Sequence, residues 1–329
     1  MMSAFPCTDL LSSCSSISDD LLCCEDSSEV FSGESPSGGC STASSTEVED
    51  SIEEMSIVGC IEGEGQFLPG ADYLSRFLSR SLDASAREDS VAWILKVQAY
   101  YGFQPLTAYL SVNYMDRFLY SSRLPQSSGW PMQLLSVACL SLAAKMEEPL
   151  VPTLLDFQVE GAKYVFEPRT IGRMELLILT VLNWRLRSVT PFSYMGFFAC
   201  KIDPSGIFTS YLVSRATDII LSNIKEASFL EYRPSSIAAA AMLCAAGDIP
   251  DLPLVSPEHA ESWCNGLSKD KILGCYQLMR DHQGVYRRDP PKVFPPLRVT
   301  IRARTRSSDS WSSSSFSLLN KRRKLNDEY

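Results

Sequence analysis

From residue 131 to 149 the chain reads PMQLLSVACLSLAAKMEEP, with apolar or small side chains on every face of a helix until Lys145. A helix that is apolar all round is a buried one. The run is too short for a bilayer and contains Gln133, Ser136 and Ser141, so the neighbours it implies are other helices of a soluble domain. Pro131 suits a first helical turn, Lys145 falls in the last turn where the helix dipole favours a cation, and Pro149 ends the helix.

Narrower apolar stripes flank this centre. Tyr73, Leu74, Phe77 and Leu78 recur at helical spacing, and SAREDSVAWILKVQAYYGF after Asp83 does the same, with Gly102 placed to end it. Further helices are predicted over about 106–120, over the short TLLDFQVEG and over about 170–184, where Ile171, Met174, Leu177, Ile178, Val181 and Leu182 form one face. A second Ala-rich run begins at Pro234, PSSIAAAAMLCAAGD. Aligning Pro131 with Pro234 superposes Leu134 on Ile237, Ala138 on Ala241, Leu140 on Leu243 and Ala143 on Ala246, which implies an internal duplication. Four more helical segments surround this second copy, among them FTSYLVSRATDIILSN and KDKILGCYQLMRDH. The pattern predicts an all-α protein of two small tandem domains, 67–187 and 188–285. Where the first copy has Lys145 the second has Asp248, so the two are expected to share a fold and not a binding surface.

Both ends lack this periodicity. Residues 1–66 are rich in Ser, Gly, Asp and Glu, without the apolar density needed to offset chain entropy, and are expected to form a disordered acidic arm. Residues 286–329, with DPPKVFPP, IRARTR and NKRRKLNDEY, are expected to be a disordered basic tail. The net charge of −9 therefore hides two opposite ends, because no Lys or Arg precedes Arg76. The cluster Lys321, Arg322, Arg323 and Lys324 reads as a nuclear import signal, with a nucleic-acid patch as the alternative. Eleven cysteines, an odd number of which several lie singly in apolar runs, without a secretory h-region opening the chain, point to reduced thiols in the cytosol or nucleus. Inside the arm, DDLLCCEDSSEVF is an apolar island in which Leu21, Cys23 and Glu25 fall on one side of an extended strand.

Enzymatic chemistry finds little material. There are two histidines, His259 and His282, no paired Cys-x-x-Cys, no H-E-x-x-H and no Gly-rich phosphate loop, so no catalytic, metal or cofactor site is expected. Glu147 and Glu148 are adjacent at a helix end and cannot face one another across a cleft. The proline-directed pattern occurs at Ser35, Thr190 and Ser256, and Thr190 can equally cap the helix that Pro191 begins.

The central run ending in LAAKMEEP, preceded by VNYMDRFL and followed by RMELLILTVLNWRL, resembles the cyclin box. Together with Leu21, Cys23 and Glu25, the chain resembles the plant D-type cyclins over roughly residues 68–285. The resemblance implies two tandem five-helix cyclin-box folds and a regulatory subunit that binds and activates a cyclin-dependent serine/threonine kinase. It implies Lys145 and Glu175 as the kinase-binding pair, and Leu21, Cys23 and Glu25 as a ligand for a retinoblastoma-related protein, promoting G1/S entry from the nucleus, with a cytoplasmic pool. Kinase inhibitor proteins are a further implied partner class, and neither nucleic acid nor membrane is. Arg87 and Asp116 match the family's internal ion pair. Trp93 and Gln133 match positions bordering a substrate-docking groove, although Glu88, Asp89 and Ser90 replace the apolar run usual before Trp93. The alternative is a cyclin-fold adaptor in transcription that engages no kinase.

Overall fold

The computed structural model describes residues 55–79, 82–125, 129–158, 163–250, 252 and 255–283. Residues 55–63 form α1, and a 3-10 turn, Glu64–Phe67, follows. The first repeat comprises α2 (Tyr73–Leu78), α3 (Ala84–Tyr101), α4 (Pro105–Ser121), α5 (Trp130–Glu147) and α6 (Pro168–Val181). The second comprises α7 (Met195–Ile202), α8 (Thr209–Asn223), α9 (Pro234–Gly247), α10 (Pro257–Ala260) and α11 (Lys269–Gln283). No strand occurs among the described residues.

Each repeat has its own apolar core wrapped around its Ala-rich helix. In α5 every residue from Leu134 to Ala144 is buried, and in α9 every residue from Pro234 to Ala246. The small side chains let the surrounding helices approach from all directions, as the all-round pattern requires. Local signals set the ends. The Asp83 carboxylate accepts from the Ala86 N–H at 3.2 Å to start α3, and Gly102, at φ 67°, ends it in the left-handed region. Thr190 and Ser193 form a reciprocal capping box at the start of the second repeat. Thr190 is 2% exposed, so of its two sequence readings the cap is the one its surroundings accommodate.

Two expectations are corrected. The arm was expected to run to residue 66, but 55–63 are helical, and Ile57 and Ile61, one turn apart, are buried in the core of the second repeat. Ile61 packs so closely on Gly266 that a Cβ there would come within 2.9 Å of it. Glu64, wholly buried, accepts from the Tyr194 hydroxyl at 2.9 Å and from Ser235 N–H and Oγ at 2.9 and 2.8 Å. A carboxylate from the segment before the first repeat thus caps α9 of the second, where the helix dipole favours an anion. The predicted helix TLLDFQVEG is instead a single turn over 154–157. Phe157 N–H reaches the Thr153 carbonyl at 3.1 Å and the Thr153 hydroxyl bonds Asp156 at 2.7 Å. Phe157, fully buried, anchors the turn, and a segment this short closes too few helical bonds to propagate.

The repeats are tied by one ion pair. Arg87 on α3 donates through Nε and Nη2 to Asp116 Oδ1 and Oδ2 on α4, at 2.8 and 2.9 Å, as the resemblance implied. The Tyr73 hydroxyl on α2 donates to the same carboxylate at 2.9 Å, and burial raises its pKa so that it stays a donor. Arg87 Nη1 donates at 2.8 Å to the carbonyl of Lys225, beyond α8 in the second repeat. Arg87 and Asp116 are each 2% exposed. Arg87→Ala is expected to lower the unfolding free energy by about 3–5 kcal/mol in denaturant titration, because it strands a buried carboxylate. The paired Arg87→Leu, Asp116→Leu variant is expected to lose much less.

Candidate functional site

The C-terminal end of α5 is where the buried helix reaches solvent. Its side chains are enclosed up to Ala144, and Lys145, Met146 and Glu147 are exposed. Lys145 Nζ donates to both oxygens of Glu175 on α6, at 2.7 and 2.8 Å. Their side chains are 44% and 11% exposed, so the carboxylate is held in the protein and the ammonium is offered outward. Two of the three ammonium hydrogens serve Glu175, which leaves one for a partner's acceptor.

Exposed apolar side chains accompany the pair on the same elements. Met146 follows Lys145, Leu176 follows Glu175, and Leu150, Val151 and Leu155 lie on the loop after α5. Just past the end of α6 the backbone turns through Asn183 and Trp184, at φ 52° and 59°, in the left-handed region that non-glycine residues avoid. The Trp184 N–H is held by the Leu179 carbonyl at 2.9 Å while its side chain stands 68% exposed. Strain of this sort, about 1–3 kcal/mol per residue, clusters at functional sites. A large exposed aromatic on a fixed backbone is a natural interface anchor.

The two adjacent glutamates differ in role, which the sequence did not reveal. Glu147 is exposed, whereas Glu148 Oε1 accepts from the Gln104 N–H at 2.7 Å and from the Thr107 hydroxyl. Gln104 is the N-cap of α4 and makes no side-chain cap bond, so Glu148 supplies the cap from outside the helix. The end of α5 is thereby fixed to the start of α4.

The equivalent position in the second repeat is electrically inverted. Asp248 Oδ2 accepts from Arg215 Nε at 2.8 Å, and here the anion is the more exposed partner, at 37% against 15%. Gln133 on α5 grips the Tyr164 backbone at two points, Nε2 to its carbonyl at 2.9 Å and Oε1 from its N–H at 3.2 Å. Trp93 packs against the first core with its indole N–H buried and without a partner. Trp93 thus lies on α3 and Gln133 on α5, two helices that pack on each other in the first core. Leu21, Cys23 and Glu25, and Lys321, Arg322, Arg323 and Lys324, lie outside the described residues.

Among the described residues no cluster of His, Cys, Asp or Glu could hold a metal ion, and no helix is long and apolar enough to cross a membrane. The described cysteines are free thiols, and burial pushes the Cys244 thiol up to about 12 and Cys139 well above the ordinary range, so neither is a nucleophile at neutral pH.

Comparison with known proteins places this geometry. Residues 57–187 match the family "Cyclin, N-terminal domain" and 189–294 match "Cyclin, C-terminal domain". The chain is 65% identical to Cyclin-D1-1 of Arabidopsis thaliana, an alignment covering 93% of this chain and 90% of the relative. It is 54% identical to Cyclin-D2-1 of Oryza sativa subsp. japonica, over 79% and 82%. Among solved structures, a viral cyclin from herpesvirus saimiri superposes with a TM-score of 0.53 at 16% identity, over 62% of this chain and 86% of that one, a likeness of fold.

The two glutamates make a paired test. Glu148→Ala is expected to destabilise the protein by about 1–2 kcal/mol through loss of the α4 cap. Glu147→Ala is expected to leave the denaturation midpoint unchanged.

Proposed function

Because this chain belongs to the cyclin family, among the plant D-type cyclins, we propose that it binds a cyclin-dependent serine/threonine kinase through the face around Lys145 and Glu175 and directs it to a retinoblastoma-related protein, promoting G1/S entry. As a cyclin it is a regulatory subunit and not itself an enzyme. The observation that carries the reading is the Lys145–Glu175 pair, a cation held at the mouth of a rigid buried helix and bordered by exposed Met146 and Leu176. Glu175 fixes the Lys145 head group before any partner arrives, so little side-chain entropy remains to be lost on docking. The spare ammonium hydrogen suits a backbone carbonyl at a helix C-terminus, and the apolar side chains suit the flank of that helix.

Activation follows from differential binding. A kinase is active when its regulatory helix is placed so that its own Lys–Glu ion pair forms. A surface that binds that placement more tightly shifts the population toward it and contributes no catalytic group. In this reading Leu21, Cys23 and Glu25 hold the retinoblastoma-related protein on a tether and raise its effective concentration at the kinase. Kinase inhibitor proteins are proposed to compete at the assembled complex. Lys321, Arg322, Arg323 and Lys324 are proposed to place the chain in the nucleus, with a cytoplasmic pool.

The decisive assay is phosphorylation of a retinoblastoma-related fragment by a purified kinase subunit in the presence of three chains. The wild-type chain is expected to raise the rate strongly. The swap Lys145→Glu, Glu175→Lys keeps an internal pair but inverts what is presented, and is expected to lose about tenfold or more in activation. Replacing Leu21, Cys23 and Glu25 together by alanine is expected to leave kinase binding intact while weakening substrate capture. No stimulation by a folded wild-type chain, across several kinases, would transfer support to the adaptor reading. Alanine at residues 321–324 is expected to spread a fluorescent fusion into the cytoplasm; a fusion that stays nuclear removes the import assignment.

A further inference from the structure

The two buried arginines of the first repeat are treated differently. Arg87 is paired with Asp116, whereas Arg117 on α4, 7% exposed, forms no ion pair among the described residues. Its Nη1 donates to the Arg185 carbonyl at 2.9 Å, to Ser188 Oγ at 3.2 Å and to Asn113 Oδ1 at 3.5 Å, all neutral acceptors. The Phe67 ring lies 5.6 Å from the guanidinium, a weak compensation. Burial lowers the pKa of Arg117, and the charge of nearby Arg185 pushes the same way. Buried charges in folded proteins are paired as a rule, so an anion is missing here.

The strand of chain that supplies the Arg185 carbonyl is itself cationic. Arg185 and Arg187 are exposed on either side of buried Leu186, and neither forms an ion pair among the described residues. Trp184, 68% exposed, precedes them on the strained turn. Such a surface fits carboxylates interspersed with apolar side chains.

The sequence holds a segment of that composition close by. Residues 47–54, EVEDSIEE, carry Glu47, Glu49, Asp50, Glu53 and Glu54, with Val48 and Ile52 among them. No Lys or Arg precedes Arg76, so the run has no cation of its own to pair with. It lies outside the described residues and joins α1 at Met55. Phe67, the ring beside Arg117, is fixed to α4 by its carbonyl, which accepts from Asn113 Nδ2 at 2.9 Å. Through α1 and the turn after it, Met55 lies no more than about 22 Å from Phe67, and the run when extended reaches about 26 Å.

We propose that residues 47–54 dock on the surface formed by Arg117, Arg185 and Arg187 of the first repeat. Their carboxylates meet the two exposed guanidiniums and bring negative charge beside Arg117, while the apolar members of the run cover the Trp184 ring. Ile57 and Ile61 of α1 are already buried in the second core, so the docked run makes this part of the arm a strap across both repeats. The segment carrying Leu21, Cys23 and Glu25 is then tethered from the element after α6. The docking does not depend on kinase binding.

The test is limited digestion of the full chain with a glutamate-specific protease, with the cleavage sites mapped by mass. Cleavage after Glu29 and Glu34, in the same arm, is the internal reference. In the wild-type chain cleavage after Glu47, Glu49, Glu53 and Glu54 is expected to be slower than the reference. In the Arg185→Gln, Arg187→Gln variant it is expected to rise about fivefold relative to that reference, the worth of two exposed ion pairs. Both side chains are exposed, and a thermal melt checks that the variant folds. Should it fail to, the wild-type chain in about 0.5 M sodium chloride supplies the same readout, because salt screens exposed pairs. Equal cleavage of run and reference in the wild-type chain, or a ratio indifferent to the substitutions and to salt, would overturn the proposal. A melting temperature raised equally by inorganic phosphate in the wild-type chain and in the variant Glu47→Gln, Glu49→Gln, Asp50→Asn, Glu53→Gln, Glu54→Gln would overturn it too, by showing a site left open to a free anion.

Discussion

The buried pair of Arg87 and Asp116 is the joint on which the rest of the architecture depends. Removing a guanidinium and a carboxylate from water is costly, and the cost is offset only when the remaining hydrogen-bonding capacity is also used. Here it is. Both carboxylate oxygens receive the guanidinium, the Tyr73 hydroxyl adds a further donor, and the outward nitrogen of Arg87 reaches the carbonyl of Lys225. One side chain that cannot lose its proton therefore sets α2, α3 and α4 against one another and binds the first repeat to the second. Glu64 makes a second tie, since the segment that precedes the first repeat caps a helix of the second. Two cores that could each be drawn as a separate bundle are joined by charged side chains that reach into the second repeat from the first and from the segment before it.

What was legible in the sequence, and what was not, divides along the same physical line. The buried helices α5 and α9 were plain because their apolar character is continuous on every face and bounded by prolines. The pairing of Lys145 with Glu175 was implied by resemblance, and the packing of α5 on α6 supplies its physical cause. The bond from Arg87 to Lys225 was invisible, because a backbone carbonyl leaves no mark on the pattern of side chains. Ile57, Ile61 and Glu64 did sit at helical spacing, but an average over the surrounding Ser- and Glu-rich arm concealed them. Glu64 in particular counted as one more solvated charge when it is a buried cap. Glu148 was read with its neighbour as one acidic helix end, and only the proximity of α4 separates them.

The outward face gains its character from this interior stiffness. Lys145 is presented by a helix enclosed on all sides, is oriented by a carboxylate on the adjacent helix, and has its last turn fixed to α4 through Glu148. A recognition group backed by such supports keeps its position to within the tolerance that binding demands. The strained turn at Asn183 and Trp184 is held by backbone bonds to the last turn of α6, from Asn183 N–H to the Thr180 carbonyl and from Trp184 N–H to the Leu179 carbonyl, with the Trp184 side chain in solvent.

The inversion between Lys145–Glu175 and Arg215–Asp248 has a further consequence. Two copies of one fold in a single chain offer, in principle, two equivalent sockets, so a partner could be captured twice or captured in the wrong copy. Reversing which member of the pair faces water keys the sockets differently: a group that accepts from an ammonium in the first copy meets a carboxylate in the second. Duplication thereby yields a larger body without yielding a second valence. The scaffold is repeated, whereas the charge presented at the end of its central helix is not.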